Sequence, residues 1–439
     1  MVRVTDMTHG RPIRLILLFS LPLMLGSVFQ QLYTIVDTII IGRGVGMQAL
    51  ASIGAADWIN WLVLWGLQGF TQGFAILAAQ EFGAGAYDRL RRVLAMIVKL
   101  SCWFGIAVTI ISLLLVRPLL TLLHTDSAVF GGAQTYLYVQ FGGSLIIIAY
   151  NMAATVLRCL GDSRTPLFAI IAASFANIAL DLLFVMGFGW GIFGASFATV
   201  LAQLIAFLLC LRSLRRLPFV QLTKADWKTD PAILLHLCRL GIPTGLQMSM
   251  ITLGGMVLQS VLNGFGVVFV AGYTAANKLY GILESASVAF GYAMTAYMGQ
   301  NRGARNAARI DAGIRAVLVL SAEFTAAIVT AMLLAGKPLL GLFLSTEEAG
   351  AADALAVAYQ YLMVLMAFLF ALFMLQAYRS SLQGLGEMTV PTLSGFAEML
   401  MRMGAALVLP TFIGQSGVFF AEGAAWVCAA ALNLVWYYM

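Results

Sequence analysis

The sequence predicts an all-α polytopic membrane protein, with twelve transmembrane helices in two six-helix lobes related by a pseudo-twofold axis along the membrane normal. Four observations predict it. Of 439 residues, 61% are hydrophobic and 10% are charged, against roughly 25% charged in a soluble globular domain. The apolar residues gather into twelve stretches, each long enough to cross a bilayer. Lys and Arg alternate from loop to loop, and the two halves repeat short motifs. A chain so poor in charge cannot cover a water-facing surface, so most of its outer surface faces lipid.

A spanning helix needs about 20 mostly apolar residues. Such stretches lie near 15–40, 52–79, 94–116, 133–157, 167–187 and 192–212 in the first half. In the second half they lie near 239–263, 273–298, 314–334, 357–382, 392–412 and 418–437. The first stretch is too long for a signal-peptide core and has no small-residue cleavage pattern, so it reads as a mature helix.

Basic residues sort by loop. One side receives Arg3, Arg11 and Arg14, then Arg89, Arg91, Arg92 and Lys99, then Arg158 and Arg164. It continues with Arg212, Arg215, Arg216, Lys224, Lys228 and Arg239, then Arg302, Arg305, Arg309 and Arg315, then Arg379. The other side receives Arg43, Arg117, Lys278 and Lys337. This asymmetry predicts cytoplasmic N and C termini. The net charge of +6 would suggest nucleic acid in a soluble protein; here it reports topology, and the partner surface is the lipid bilayer. The basic run from Arg212 to Arg239 reads as a linker, dividing the chain into a first lobe at 1–212, a linker at 213–238 and a second lobe at 239–439.

The halves echo each other in order, at an offset of about 220 residues. Pro22 is matched by Pro243, and Ala55-Ala56-Asp57 by Ala275-Ala276-Asn277. Gln80-Glu81-Phe82-Gly83-Ala84 is matched by Gln300-Asn301-Arg302-Gly303-Ala304. Arg117-Pro118-Leu119-Leu120 is matched by Lys337-Pro338-Leu339-Leu340, and Gly161-Asp162-Ser163-Arg164-Thr165-Pro166 by Gly386-Glu387-Met388-Thr389-Val390-Pro391. Six helices per repeat is an even number, so both repeats share one orientation.

A carboxylate at bilayer depth costs roughly 2.5–3.5 kcal/mol on the insertion scale, so each one needs a reason. Helix one carries Gln30 and Asp37 on one face, helix five carries Asn177 and Asp181 four apart, and helix six carries Thr199 and Gln203 four apart. If these faces converge, they form a pocket with two carboxylates and several neutral oxygens. Two acids in a low-dielectric pocket repel, which suits proton uptake; the same oxygens also suit a small cation such as Na⁺, at Asp37, Asn177, Asp181 and Thr199. The bland alternative is interhelical hydrogen bonding for packing. The second half carries Glu284, Glu323, Glu398 and Arg402. Glu398 and Arg402 are four apart and read as an intrahelical ion pair, while Glu284 and Arg402 are candidates for a cavity that accepts ligands.

Five single cysteines and three isolated histidines offer no disulfide framework or firm metal site. No HExxH, P-loop, GxSxG or Rossmann fingerprint is present. A membrane enzyme would need a nucleophile and base or a metal set, and none is visible. No cofactor is called for, and without an ATP-binding motif any pumping draws on an ion gradient.

Several stretches resemble the multidrug and toxic compound extrusion (MATE) family, in its prokaryotic DNA-damage-inducible-type branch. They are Pro22 through Gln30, Tyr33, Val36-Asp37 and Ile41-Gly42, followed by Ala49-Leu50-Ala51; then Gly161 to Pro166; then Asn177-Ile178, Leu180-Asp181, Gly189 to Ala195, and Ala198-Thr199. The resemblance implies a secondary active antiporter, a monomer in the inner membrane of a prokaryote. Such a protein exports amphipathic, often cationic small molecules in exchange for H⁺ or Na⁺ by alternating access. It also implies a cation or proton site at Gln30, Asp37, Asn177, Asp181 and Thr199, with helix one bending near Pro22. The other prokaryotic branch places acids in helices seven and ten, but 241–263 and 367–383 contain no Asp or Glu here. A lipid-linked oligosaccharide flippase of the same superfamily is the alternative. It would need a basic cavity, and Arg402 is the one clear mid-helix cation.

Overall fold

The computed structural model describes residues 4–344 and 350–439; Arg3, counted above among the loop charges, lies outside them. Thirteen α-helices run through the described residues. They are α1 Pro12–Gly44, α2 Met47–Gly83, α3 Tyr87–Leu122, α4 Ser127–Gly142, α5 Ser144–Cys159, α6 Arg164–Asp181 and α7 Gly191–Arg215, then α8 Pro231–Leu262, α9 Val267–Gly303, α10 Ala307–Gly341, α11 Ala351–Gly384, α12 Thr389–Ile413 and α13 Phe420–Tyr438. Among the described residues, ten helical stretches are long and apolar enough to span a bilayer. α4 and α5 meet at a 49° bend and together make one more. α9 has the length, at 37 residues, but is more polar because it carries Asn277, Lys278 and Glu284. Counted with α9, the spans number twelve, in the predicted places.

Two of the repeated motifs mark repeated turns; the paired prolines lie inside helices. Gly161 and Gly386 both have positive φ, 91° and 80°. Each is followed by an acid that caps the next helix: Asp162 accepts from the Arg164 and Thr165 amides at 3.0 Å, and Glu387 from the Thr389 amide at 2.9 Å. An acceptor there satisfies amides that the helix leaves unpaired. At Gly161 a side chain is impossible for a second reason: a Cβ would lie 2.1 Å from the Thr5 carbonyl oxygen. The other shared turn puts Gly85 at φ 67° and, in the second half, Arg305 at φ 55°.

The chain forms two compact units. The first comprises Met1–Met7, Leu21–Gly245 and Gly303–Arg305; the second comprises Thr8–Ser20, Leu246–Arg302 and Asn306–Met439. The chain therefore passes from one unit to the other inside α1, next to Pro22, and inside α8, next to Pro243. In the first unit, the beginning of α8 lies flush on α2: a Cβ on Gly73 would sit 2.5 Å from the Gly241 Cα. In the second, the Ser20 hydroxyl donates to the Ala289 carbonyl at 3.4 Å, and Arg309 donates to the Gly10 carbonyl at 2.8 Å.

The segment after α7 is held to the start of α3. Lys99 donates to the Trp227 carbonyl at 2.5 Å and to the Thr229 hydroxyl at 2.8 Å. Arg91 pairs with Asp226 at 3.6 Å. Desolvation, the largest single influence, opposes ionisation of Asp226, but hydrogen bonds from Thr223 and the charges of Arg91 and Arg92 together outweigh it, holding this carboxyl below its ordinary pKa.

One loop assignment is corrected. Arg379 is not a loop cation. It lies inside α11, 3% exposed, and pairs with Glu398 at 2.6 Å. Its place near a helix end, in a run of small polar residues, made it look like part of the inner loop.

Candidate functional site

The site is built where α1, α2, α6 and α7 share one apolar cluster. Ile40 and Ile41 of α1, Ala49 of α2, Val185 after α6 and Ala195 of α7 are buried together, with Val36, Ile53, Ile178 and Ile192 packed around them. This cluster fixes the relative height of the polar residues one turn further along each helix.

α1 and α6 run parallel. Gly26 packs on Leu167 and Ile170, and Gly44 on Val185 and Met186. The offset is 141 to 144 at one end and 141 to 142 at the other, which places Asp37 abreast of 178–181. The electrostatic neighbour of Asp37 is accordingly Asp181, and the two carboxyl groups face each other. Two carboxylates cannot hydrogen-bond without a proton between them. With both ionised, Asp37 Oδ1 and both oxygens of Asp181 have no donor. Asn177, one turn before Asp181, is 1% exposed, and neither its amide nitrogen nor its oxygen has a partner. Buried polar atoms left this way cost about 1–3 kcal/mol each. A helix that needed only packing would not keep them.

Asp181 also ends α6. The next residues, Leu182–Gly187, form a π-helical turn, closed by the Phe188 amide on the Leu183 carbonyl at 2.9 Å. Such a turn inserts an extra residue and interrupts the ordinary ladder, and such turns recur at functional sites.

The remaining predicted residues distribute unevenly. Thr199 lies one turn beyond Ala195 of the shared cluster, at the height of the acid pair, its hydroxyl donating to the Ala195 carbonyl at 3.2 Å. Gln203 lies one turn further, with Oε1 buried and unpaired. Gln30 is exposed and two turns from Asp37, about 10 Å along the helix, so the structure does not bring it to the pair.

Three residues not singled out in the sequence stand here. Tyr33, one turn before Asp37, lies in the field of both Asp37 and Asp181. α1 and α2 are antiparallel, with Gly42 against Leu50 and Ile40 and Ile41 near Ile53. One turn back on α1 is Asp37, and one turn on along α2 is Asp57, within electrostatic reach of it. Tyr136 of α4 accepts from the Asn60 amide at 3.3 Å and sits in the field of Asp57. The membrane-depth cost that marks Asp37 marks Asp57 equally, although in the sequence Asp57 stands out only as part of a repeated motif.

The second unit has its own charged set. Glu398 and Arg402 do pair within α12, at 3.0 Å, but as part of a chain. Arg379 holds the other oxygen of Glu398, and Arg402 reaches Glu422 of α13 at 2.8 Å and the Ile251 carbonyl at 3.0 Å. Arg379 and Arg402 are balanced by Glu398 and Glu422. Glu284 of α9, hydrogen-bonded with Tyr280 and in the field of Glu422 and Arg402, is the carboxyl left over. Glu323 is exposed on α10.

Comparison with known proteins is consistent throughout. The MatE family model matches residues 22–183 and 243–408, once in each half. The probable multidrug resistance protein YpnP of Bacillus subtilis is 33% identical over 368 residues, covering 82% of this chain and 80% of that protein. The multidrug export protein MepA of Staphylococcus aureus is 22% identical, covering 95% and 92%. A MOP-superfamily transporter structure from Pyrococcus furiosus aligns with TM-score 0.90 at 24% identity, covering 99% of this chain and 97% of that one.

Proposed function

Since the chain belongs to the MatE family of multidrug efflux transporters, and so is a multi-pass membrane transporter and not an enzyme, we propose that it exports amphipathic organic compounds in exchange for protons. The carrying observation is the Asp37–Asp181 pair: two facing acids, three of whose four oxygens are buried with no donor when ionised. A proton between them supplies the missing donor and removes one negative charge. A sodium ion held by Asp37, Asn177, Asp181 and Thr199 is the second reading, supported by the unpaired Asn177 oxygen.

The cycle we infer runs by alternating access in a monomer of the prokaryotic inner membrane, with both termini cytoplasmic. The lobes are residues 1–212 and 239–439, joined by 213–238. Proton binding from outside releases the compound, and helix one bends near Pro22, where the missing amide weakens the helix. One proton moving down 100 mV supplies about 2.3 kcal/mol, enough for roughly a fifty-fold concentration ratio of a neutral solute. The flippase alternative needs a free basic cavity, and the two buried arginines, Arg379 and Arg402, are both held by glutamates.

The test is substrate efflux from proteoliposomes under a pH gradient and, separately, a Na⁺ gradient. Efflux is expected to follow the pH gradient and to lose its coupling in Asp37→Asn. Full coupling in that variant would sink the proton reading, and efflux driven by Na⁺ alone would replace it with the sodium one.

A further inference from the structure

α2 presents a face that the acid pair does not use. Asp57, Trp61 and Trp65 recur at helical spacing along it, and Gly54 precedes Asp57 by one turn. Trp61 and Trp65 are each 44% exposed. A Cβ added at Gly54 would meet nothing within 4 Å, so there is open space one turn before Asp57 on the same face. Trp61 is braced by Trp58, ring centroids 5.3 Å apart and edge-on at 71°, so an aromatic plane is held in place rather than left free.

Asp57 lies about 15 Å inside α2 from its start, at a depth where a lipid-facing carboxylate is costly. Among the described residues no hydrogen bond or ion pair engages it, and the charge whose field reaches it is another carboxylate, Asp37. A half-buried acid without a cation, followed at helical spacing by two exposed indole rings, has the chemistry that recognises an organic cation: ion pairing for the charge, and aromatic faces for the cation and its apolar body.

We propose that Asp57, Trp61 and Trp65 form a docking subsite for a lipophilic organic cation on α2. This rests on the proposed export function and names where the cation is held. It also gives the exchange a direct electrostatic basis. Asp37 adds its negative field to that of Asp57, and a proton taken up by the Asp37–Asp181 pair removes part of that field. Compound and proton then compete through charge without sharing a ligand atom.

The experiment measures binding of tetraphenylphosphonium and of its uncharged analogue triphenylphosphine oxide to the purified full-length protein. Asp57→Asn is expected to weaken the cation about tenfold and the neutral analogue less than about twofold, where tenfold corresponds to about 1.4 kcal/mol. Trp61→Ala and Trp65→Ala are expected to weaken both ligands, and Asp57→Glu to keep the preference for the cation. Equal loss of both ligands in Asp57→Asn, or no loss of either, overturns the proposal. If Asp57→Asn does not fold, a folded Asp57→Glu that binds both ligands alike overturns it as well. Wild-type proteoliposomes that exchange tetraphenylphosphonium for protons keep the export reading intact whatever these variants do. Wild-type protein that binds the cation without exchanging it overturns that reading and leaves the subsite standing.

Discussion

Arg402 holds Glu398 and Glu422 at the same time and is itself 5% exposed. Removing it leaves two carboxylates buried around one remaining cation. Breaking a buried pair in this way costs about 3–5 kcal/mol. Arg402→Ala should therefore lower the melting temperature in detergent sharply, and a variant that melts with the wild type would show that the chain of charges holds nothing together. Asn177 is expected to behave in the opposite way. Its amide is buried and unpaired, at about 1–3 kcal/mol. Asn177→Leu should raise the melting temperature while depressing proton-coupled efflux, the trade expected where a strained polar residue serves activity. A drop in melting temperature would indicate a structural role. Asp37, Asp181 and Asn177 were found by asking why polar atoms lie at bilayer depth. Glu422 was missed because it sits at the start of α13, where an acid looks like a loop residue. Its partner is 20 positions away in sequence, on another helix.

Helices with breaks carry the more informative lessons at the next scale. Pro22 lies within α1, two residues into the first unit. Pro22→Ala restores an amide and removes a residue about 3 kcal/mol less favourable in a helix interior. It should stiffen α1, leave the fold intact and slow export, and unchanged transport rates would remove Pro22 from the mechanism. Gly303 tests packing rather than motion. A Cβ there would lie 1.8 Å from the Gln80 carbonyl oxygen, so Gly303→Ala should destabilise by about 1–3 kcal/mol or more, read as a lower melting temperature. Near-wild-type melting would mean that the backbone yields. The linker makes a prediction about pH. The Asp226 carboxyl is held below its ordinary value. Its contribution is therefore complete above about pH 4, the range of an unperturbed aspartate, and is lost as pH falls through the lower folded value. Proteolysis of the 217–230 segment should rise only on acidification below that range, and Asp226→Asn should show the raised cleavage already at neutral pH. The twelve spans were legible because hydropathy and loop charge both depend on local composition. The 49° bend between α4 and α5 and the π-helical turn after Asp181 were not, because both are set by how neighbouring helices pack.

For the molecule as a whole, the two halves share turns, caps and helix order but not polar chemistry. The first unit has facing acids without a cation. The second has a balanced chain of two arginines and two glutamates, with Glu284 in excess. Glu284→Gln should therefore leave the pH dependence of efflux governed by Asp37 and Asp181; a shift as large as that of Asp37→Asn would make the second unit an equal partner in coupling. The two crossings of the chain also bear on biogenesis. Synthesis runs from the N terminus, and domains generally fold as they emerge. The first unit, however, includes Leu21–Gly245 and then Gly303–Arg305, while the second claims Thr8–Ser20 from the very beginning. Neither unit can be completed by its own half of the nascent chain. The early segment must wait, already inserted, for a partner made several helices later, and the first unit closes only when the end of α9 has left the ribosome. Folding is thereby tied to completion of the chain, and a truncated product that stops after α7 should be recognised as unfinished and degraded.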